Sequence, residues 1–135
     1  MNKDQIILKW SLFAGGLYFF SVSVVHMLGS KLPVLFIYYN VPSYTYQDRI
    51  ISFLAFGWSA FFFTAFLDPQ KQTALIKTIL VSGAFAIFGL GIINLKTDFH
   101  TLDPIINPNI FWLETSGLLI YWLWLVIFSF RNSRA

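Results

Sequence analysis

The chain has 135 residues, of which 57% are hydrophobic and only 11% charged, where a soluble domain carries about a quarter charged. Aromatic residues reach 20%, with 16 Phe, more apolar surface than the interior of so short a chain can hide. The absence of cysteine excludes disulfides, thiolate metal sites, iron–sulfur clusters and thiol redox chemistry, and the thinly spread net charge of +3 offers no basic run to track a phosphate backbone, so no nucleic-acid partner is expected.

The first predicted element is an apolar helix over residues 6–28, with Lys3 before it and Lys9 near its start as a basic region. It is too long for the apolar core of a signal peptide and lacks a small-x-small cleavage site, so it is read as an uncleaved anchor. His26 lies near its far end. Ser23, Phe19 and Gly16 precede it at helical spacing, a stripe suited to contact with another helix.

After this helix comes Lys31-Leu32-Pro33-Val34-Leu35-Phe36-Ile37-Tyr38-Tyr39, too short an apolar run to cross a bilayer. Exposed irregular backbone is too costly at depth, so the run is expected to dip into the interface or to cover the helix ends. Both a lid and passive packing fit.

The second helix is predicted over 50–67, with Thr45 and Asp48 at capping-box spacing before it. Asp68-Pro69 is read as a capping residue and first-turn proline for the third helix, 73–95. Such a short connection makes helices two and three antiparallel neighbours. Ser82, Ala86 and Gly89, with Gly83 and Gly91 nearby, give the third helix a small-residue face for close packing or subunit docking. Asn107-Pro108 opens the fourth, 110–130. Trp10, Trp112, Trp122 and Trp124 are expected at the ends of spans, in interfacial belts.

Each helix has the roughly 20 apolar residues that a crossing needs. The expected fold is an all-α, up-down-up-down bundle of four transmembrane helices in one domain. Lys3, Lys9, Lys71, Lys77, Arg131 and Arg134 fall on one side, against Lys31, Arg49 and Lys96 on the other. That bias places both termini in the cytoplasm, with the cell's inner membrane as the expected location.

Ionisable residues within spans are the functional candidates. Glu114 lies about two turns into the fourth helix, roughly 9 Å from its start, with Gly117 and Tyr121 on its face. It is expected to face the bundle, protonated or paired. His26 falls at a similar depth, so a His26–Glu114 hydrogen bond is expected. Lys31, Asp48, Arg49, Asp98, His100 and Asp103 gather polarity at the same end, and the candidate ligand-binding residues are His26, Glu114, Arg49, Asp48 and Tyr121. Asp98-Phe99-His100 is a weak metal pattern, and one histidine within the spans cannot supply two axial haem ligands from one chain. No metal site is therefore assigned, and the cofactor is left unknown. No phosphate loop, nucleophile elbow or zinc-protease motif is present.

In its histidine late in the first helix, polar outer end and short cytoplasmic connections, the chain resembles small four-helix membrane proteins of the DoxX-like kind. No residue role is carried over from them. Two functions stay open: a module binding a small lipophilic molecule or lipid, with His26 and Glu114 as anchors, and an accessory subunit assembling with a membrane-protein partner or a second copy.

Overall fold

The computed structural model describes residues 2–133; Arg134, counted in the charge bias above, lies outside them. Five helices follow one another: α1 Lys3–Leu28, α2 Thr45–Leu67, α3 Thr73–Lys96, α4 Phe99–Leu102 and α5 Pro108–Ser133. Among the described residues there is no strand. Helices α1, α2, α3 and α5 are long and apolar enough to cross a membrane. Phe53, Phe56, Phe61, Phe85, Phe88 and Leu95 are all exposed on them. So much apolar surface on the outside of long helices suits lipid, and the chain is a multi-pass integral membrane protein.

Local chemistry sets the boundaries. Asn2 and Gln5 form a capping box at the start of α1, each side chain accepting the other's backbone N–H at 2.8 and 2.9 Å. Gly29 ends the helix in the left-handed region at φ 67°, its N–H directed at the carbonyls of Val25 and His26. Two sequence expectations are corrected here. Helix α2 begins at Thr45, after Tyr44, whose N–H donates to the Gln47 side chain at 3.4 Å. Asp48, expected to cap, turns inward and accepts from the Ser43 hydroxyl at 3.1 Å. Asp68-Pro69 does not open α3. Asp68 terminates α2 and organises the turn, its carboxylate accepting from the Lys71 N–H at 3.2 Å and its carbonyl from the Gln72 N–H at 3.0 Å. Asn107 does cap α5, accepting from the Asn109 N–H at 3.1 Å.

Neighbouring helices run antiparallel. Arg131 pairs with Asp4 at 3.0 Å, and Tyr121 donates to the Ser11 carbonyl at 2.8 Å, which sets α5 against α1. Ser59 donates to the Gly16 carbonyl at 2.8 Å, and Ser23 meets Ser52 at 3.3 Å, joining α1 to α2 along the stripe that leads to His26. Trp122 donates to the Leu80 carbonyl at 2.8 Å, and Asn94 to the Thr115 hydroxyl at 3.0 Å, joining α3 to α5. Contact between α2 and α3 is the sparsest of these neighbouring pairs.

Close approach occurs where the glycines of α1 lie. A Cβ on Gly15 would fall on the Tyr121 hydroxyl and 2.5 Å from Phe62 Cε1, and one on Gly16 would come within 2.9 Å of Phe63. The predicted Ser82–Ala86–Gly89 face is looser. A Cβ on Gly89 would meet nothing within 4 Å, and close packing on α3 falls instead at Gly83, beneath Trp122. Trp122 is therefore no belt residue: it sits in mid-helix, turned onto α3.

The packed core, with Leu8, Leu12, Phe62, Ala65, Ile76, Ile79, Leu125 and Phe128, lies toward the end that carries the termini. A smaller cluster of Phe99, Ile106 and Phe111, joined by Tyr38 and Val41, closes the opposite, loop-bearing end.

Candidate functional site

Between these two clusters is a cavity of about 450 Å³. Helices α1, α2, α3 and α5 and the 31–44 segment all contribute to its wall, which is overwhelmingly apolar. His26, Ser43, Gln47 and Asp48 join it from the loop-bearing end, Tyr18, Tyr121 and Trp122 line it with their donors committed to the carbonyls of Val34, Ser11 and Leu80, and Phe62, Ile79 and Leu125 contribute from the packed core.

Both His26 and Asp48 are 5% exposed. The His26 ring stacks on Phe36 with centroids 3.8 Å apart. Its Nδ1 is buried and has no hydrogen-bond partner among the described residues, and the same holds for Asp48 Oδ1. Asp48 Oδ2 receives the Ser43 hydroxyl, and Ser43 Oγ in turn receives Lys31 Nζ at 2.9 Å. Lys31 also donates to the Val41 carbonyl at 3.0 Å and lies 5.5 Å from the centre of the Phe36 ring. A chain of donors thus runs from an exposed ammonium to a buried carboxylate at the cavity wall. Buried polar atoms are normally paired, since leaving one unmatched costs about 1–3 kcal/mol. Two such atoms on residues lining one cavity mark that end as a place for a polar group of matching chemistry.

Glu114 does not join this cluster, and the expected His26–Glu114 hydrogen bond is not formed. The carboxyl lies beside a second hollow of about 630 Å³ between α1 and α5, beneath Pro33 and Val34. Its Oε1 accepts the Val34 N–H at 2.8 Å, while Oε2 is buried without a partner among the described residues. Tyr18 donates to the carbonyl of the same valine at 2.9 Å. Val34 is held at φ 72°, the left-handed region that disfavours a β-branched residue. Tyr18, Leu118 and Tyr121 line both hollows and form the wall between them. The two candidates share a depth but not a direction: His26 lies on the α2 side of α1, and Glu114 on the α1-facing side of α5.

Of the remaining candidates, Tyr121 lines both hollows with its hydroxyl committed to Ser11, while Arg49 is exposed and is not among the lining residues. In the loop before α5, Asp98 accepts from the His100 N–H and Asp103 from the Ile105 N–H, so both acids fold their own turns.

Sequence reasoning missed the clamp on the 31–44 segment. The Tyr38 hydroxyl donates to Asn94 Oδ1 at 2.8 Å, and its ring packs on Phe99 and Phe111. Burial, with a smaller contribution from the Glu114 charge, pushes the Tyr38 phenol up to about 12. Asn94 was the available signal, because an amide inside an apolar helix needs a partner. Trp58 and Trp122 also line the cavity, and only their orientation reveals it. Comparison with known proteins finds no matching family model, no matching curated protein and no matching solved structure.

Proposed function

We propose that this membrane protein binds a small lipophilic molecule in its central cavity, with His26 and Asp48 as polar anchors and the 31–44 segment as cover. The observation carrying this reading is the pair of buried, unpartnered atoms, His26 Nδ1 and Asp48 Oδ1, on residues that line one apolar cavity. A volume of about 450 Å³ lies within the usual range for small-ligand sites, about 300–1,000 Å³. The sparse α2–α3 seam supports entry from the lipid, since the loop-bearing end is closed by aromatic packing.

Native mass spectrometry of the protein extracted from its own membrane in mild detergent tests the reading. A reproducible small adduct is expected, and Val22→Phe, which fills the cavity from the α1 wall, should lose it. Bare protein retained only with other polypeptides would refute the binding function and favour an accessory subunit.

For orientation, we propose that both termini face the cytoplasm across the cell's inner membrane. Lys3, Lys9, Lys71, Lys77 and Arg131 all belong to the terminus-bearing half of their helices or to the 68–72 turn, as the positive-inside rule favours. The chain lacks cysteine, so Gln70→Cys and Ile105→Cys report cleanly on sidedness. An impermeant maleimide added to intact cells should label residue 105 and spare residue 70; the reverse pattern inverts the topology.

A further inference from the structure

We infer that the occupant of the central cavity is a neutral, single-chain amphiphile headed by a hydroxyl group, bound between Asp48 and His26. This inference rests on the binding reading above and specifies its ligand class.

The distribution of polarity comes first. The buried lining atoms without a partner among the described residues, on His26 and Asp48, lie at the loop-bearing end, and the wall as a whole is overwhelmingly apolar, so the cavity matches a molecule with one polar head and one apolar body. Its volume of about 450 Å³ sits toward the lower end of small-ligand sites, about 300–1,000 Å³. One chain suits it better than a whole two-chain lipid.

Hydrogen-bonding capacity then selects the head. Asp48 has one oxygen engaged by Ser43 and the other without a donor among the described residues. An ionised carboxylate accepts only, and a neutral imidazole has one donor and one acceptor nitrogen. The Nδ1 of His26 has no hydrogen-bond partner among the described residues. A hydroxyl is both donor and acceptor: it can give its proton to Asp48 Oδ1 and receive one from the imidazole. A ketone, ester or ether head accepts only and leaves the Asp48 oxygen unmatched.

Charge excludes the ionised heads. Lys31 is already linked to Asp48 through Ser43, so a cationic head would face an ammonium already in place. An anionic head would face the Asp48 carboxylate. A neutral hydroxyl avoids both.

Trp58 and Trp122 line the cavity, so a chain carrying a heavy atom quenches their fluorescence. The purified full chain in detergent is titrated with an ω-bromoalkanol, its methyl ether, and the matching ω-bromo acid and amine. The alcohol should quench saturably, with relief by the unbrominated alcohol, and the ether should bind about tenfold more weakly, as loss of one buried hydrogen bond implies. That preference should vanish in Asp48→Leu, or in His26→Phe, which keeps the ring stacked on Phe36, if the leucine variant does not accumulate. Equal affinity for alcohol and ether overturns the hydroxyl assignment and leaves the cavity reading standing. Tightest binding of the acid or the amine overturns neutrality. Absence of saturable quenching by any probe refutes the binding function itself.

Discussion

Replacing Gly15 with alanine tests the closest approach in the bundle. The new Cβ would stand 2.5 and 2.6 Å from two carbons of the Phe62 ring, where ordinary contact is 3.4–4 Å, and would also fall on the Tyr121 hydroxyl. The ring would have to retreat by about 1 Å, the difference between those distances. Phe62 is 3% exposed and stacked on Phe19 at 5.5 Å, so its retreat breaks that stack and pushes the ring toward the central cavity it lines. Overpacking of this kind costs about 1–3 kcal/mol. Displacing Tyr121 from the Ser11 carbonyl adds about 0.5–1.5 kcal/mol, and alanine's helix preference over glycine returns about 1 kcal/mol. The net expectation is a loss of about 2 kcal/mol, read by reversible unfolding in mixed micelles. Two controls bracket it. Gly16→Ala meets Phe63 at 2.9 Å, but that ring is only half-buried and can yield, so the change should be small. Gly117→Ala meets nothing within 4 Å and should stabilise by up to about 1 kcal/mol. A Gly15→Ala variant as stable as the parent would show that α1, α2 and α5 do not meet as described.

Val34→Gly should leave stability unchanged or raise it by up to about 1 kcal/mol. Release of left-handed strain, roughly 1–2 kcal/mol, outweighs the entropy of glycine, about 0.5–1 kcal/mol, and the exposed side chain has little packing to lose; a loss above about 1 kcal/mol in the same unfolding assay would contradict the strained conformation. Asn94→Leu removes two side-chain hydrogen bonds between elements. At about 0.6 kcal/mol each within membranes, it should cost about 1–2 kcal/mol, and Tyr38→Phe about half as much. The Tyr38 phenol is raised from 10.0 to about 12, so the folded state holds its proton more tightly than the unfolded. Stability from this group is complete below pH 10 and lost as pH rises through about 12. In ultraviolet titration, the tyrosinate signal missing from Tyr38→Phe should therefore appear near that upper value; appearance at pH 10 would place the ring in water.

Four crossings were legible because bilayer thickness fixes span length, and 20 or so apolar residues show plainly in a sequence. The depth of a residue is legible for the same reason, as 1.5 Å per residue along a helix. Its direction is not: each step turns the helix by about 100°, so an uncertain helix rotation leaves the facing side open. Hence His26 and Glu114 were expected to meet, yet they lie on different sides of the Tyr18–Tyr121 wall. The stripe of Gly16, Phe19, Ser23 and His26 fared better, because small and hydroxyl side chains at one spacing specify a helix contact by themselves. The 31–44 segment could not be placed, since its anchors are remote: Val34 is held by Glu114, 80 residues away, and Tyr38 by Asn94, 56 residues away. Asp48 looked like a capping residue because its spacing from Thr45 is that of a capping box. Asp48 instead accepts from Ser43, which itself accepts from Lys31, so a local rule yielded to a network that ties the start of α2 to the 31–44 segment.

On the binding function proposed above, the separation of Glu114 from the cavity gives it a different task from His26 and Asp48, and one variant pair tests the difference. A valine persists in the left-handed region only when its surroundings over-determine it. Here Glu114 fixes the Val34 N–H and Tyr18 fixes its carbonyl. Glu114→Gln keeps an acceptor for the Val34 N–H, so the cover should remain ordered and ligand binding intact. Glu114→Leu removes that acceptor. The lost hydrogen bond, about 0.5–1.5 kcal/mol, is offset by the roughly 1–2 kcal/mol of strain that Val34 then sheds, so global stability should change by less than about 1 kcal/mol. Locally the effect is large, because the backbone at Pro33 and Val34 loses one of its two clamps. Limited proteolysis should cut the leucine variant between residues 31 and 35 faster than either the parent or the glutamine variant. Ligand affinity in the glutamine variant should match the parent. If the glutamine variant instead loses binding while its 31–35 segment stays protected, Glu114 touches the ligand, and the wall of tyrosines between the two hollows does not divide them in function.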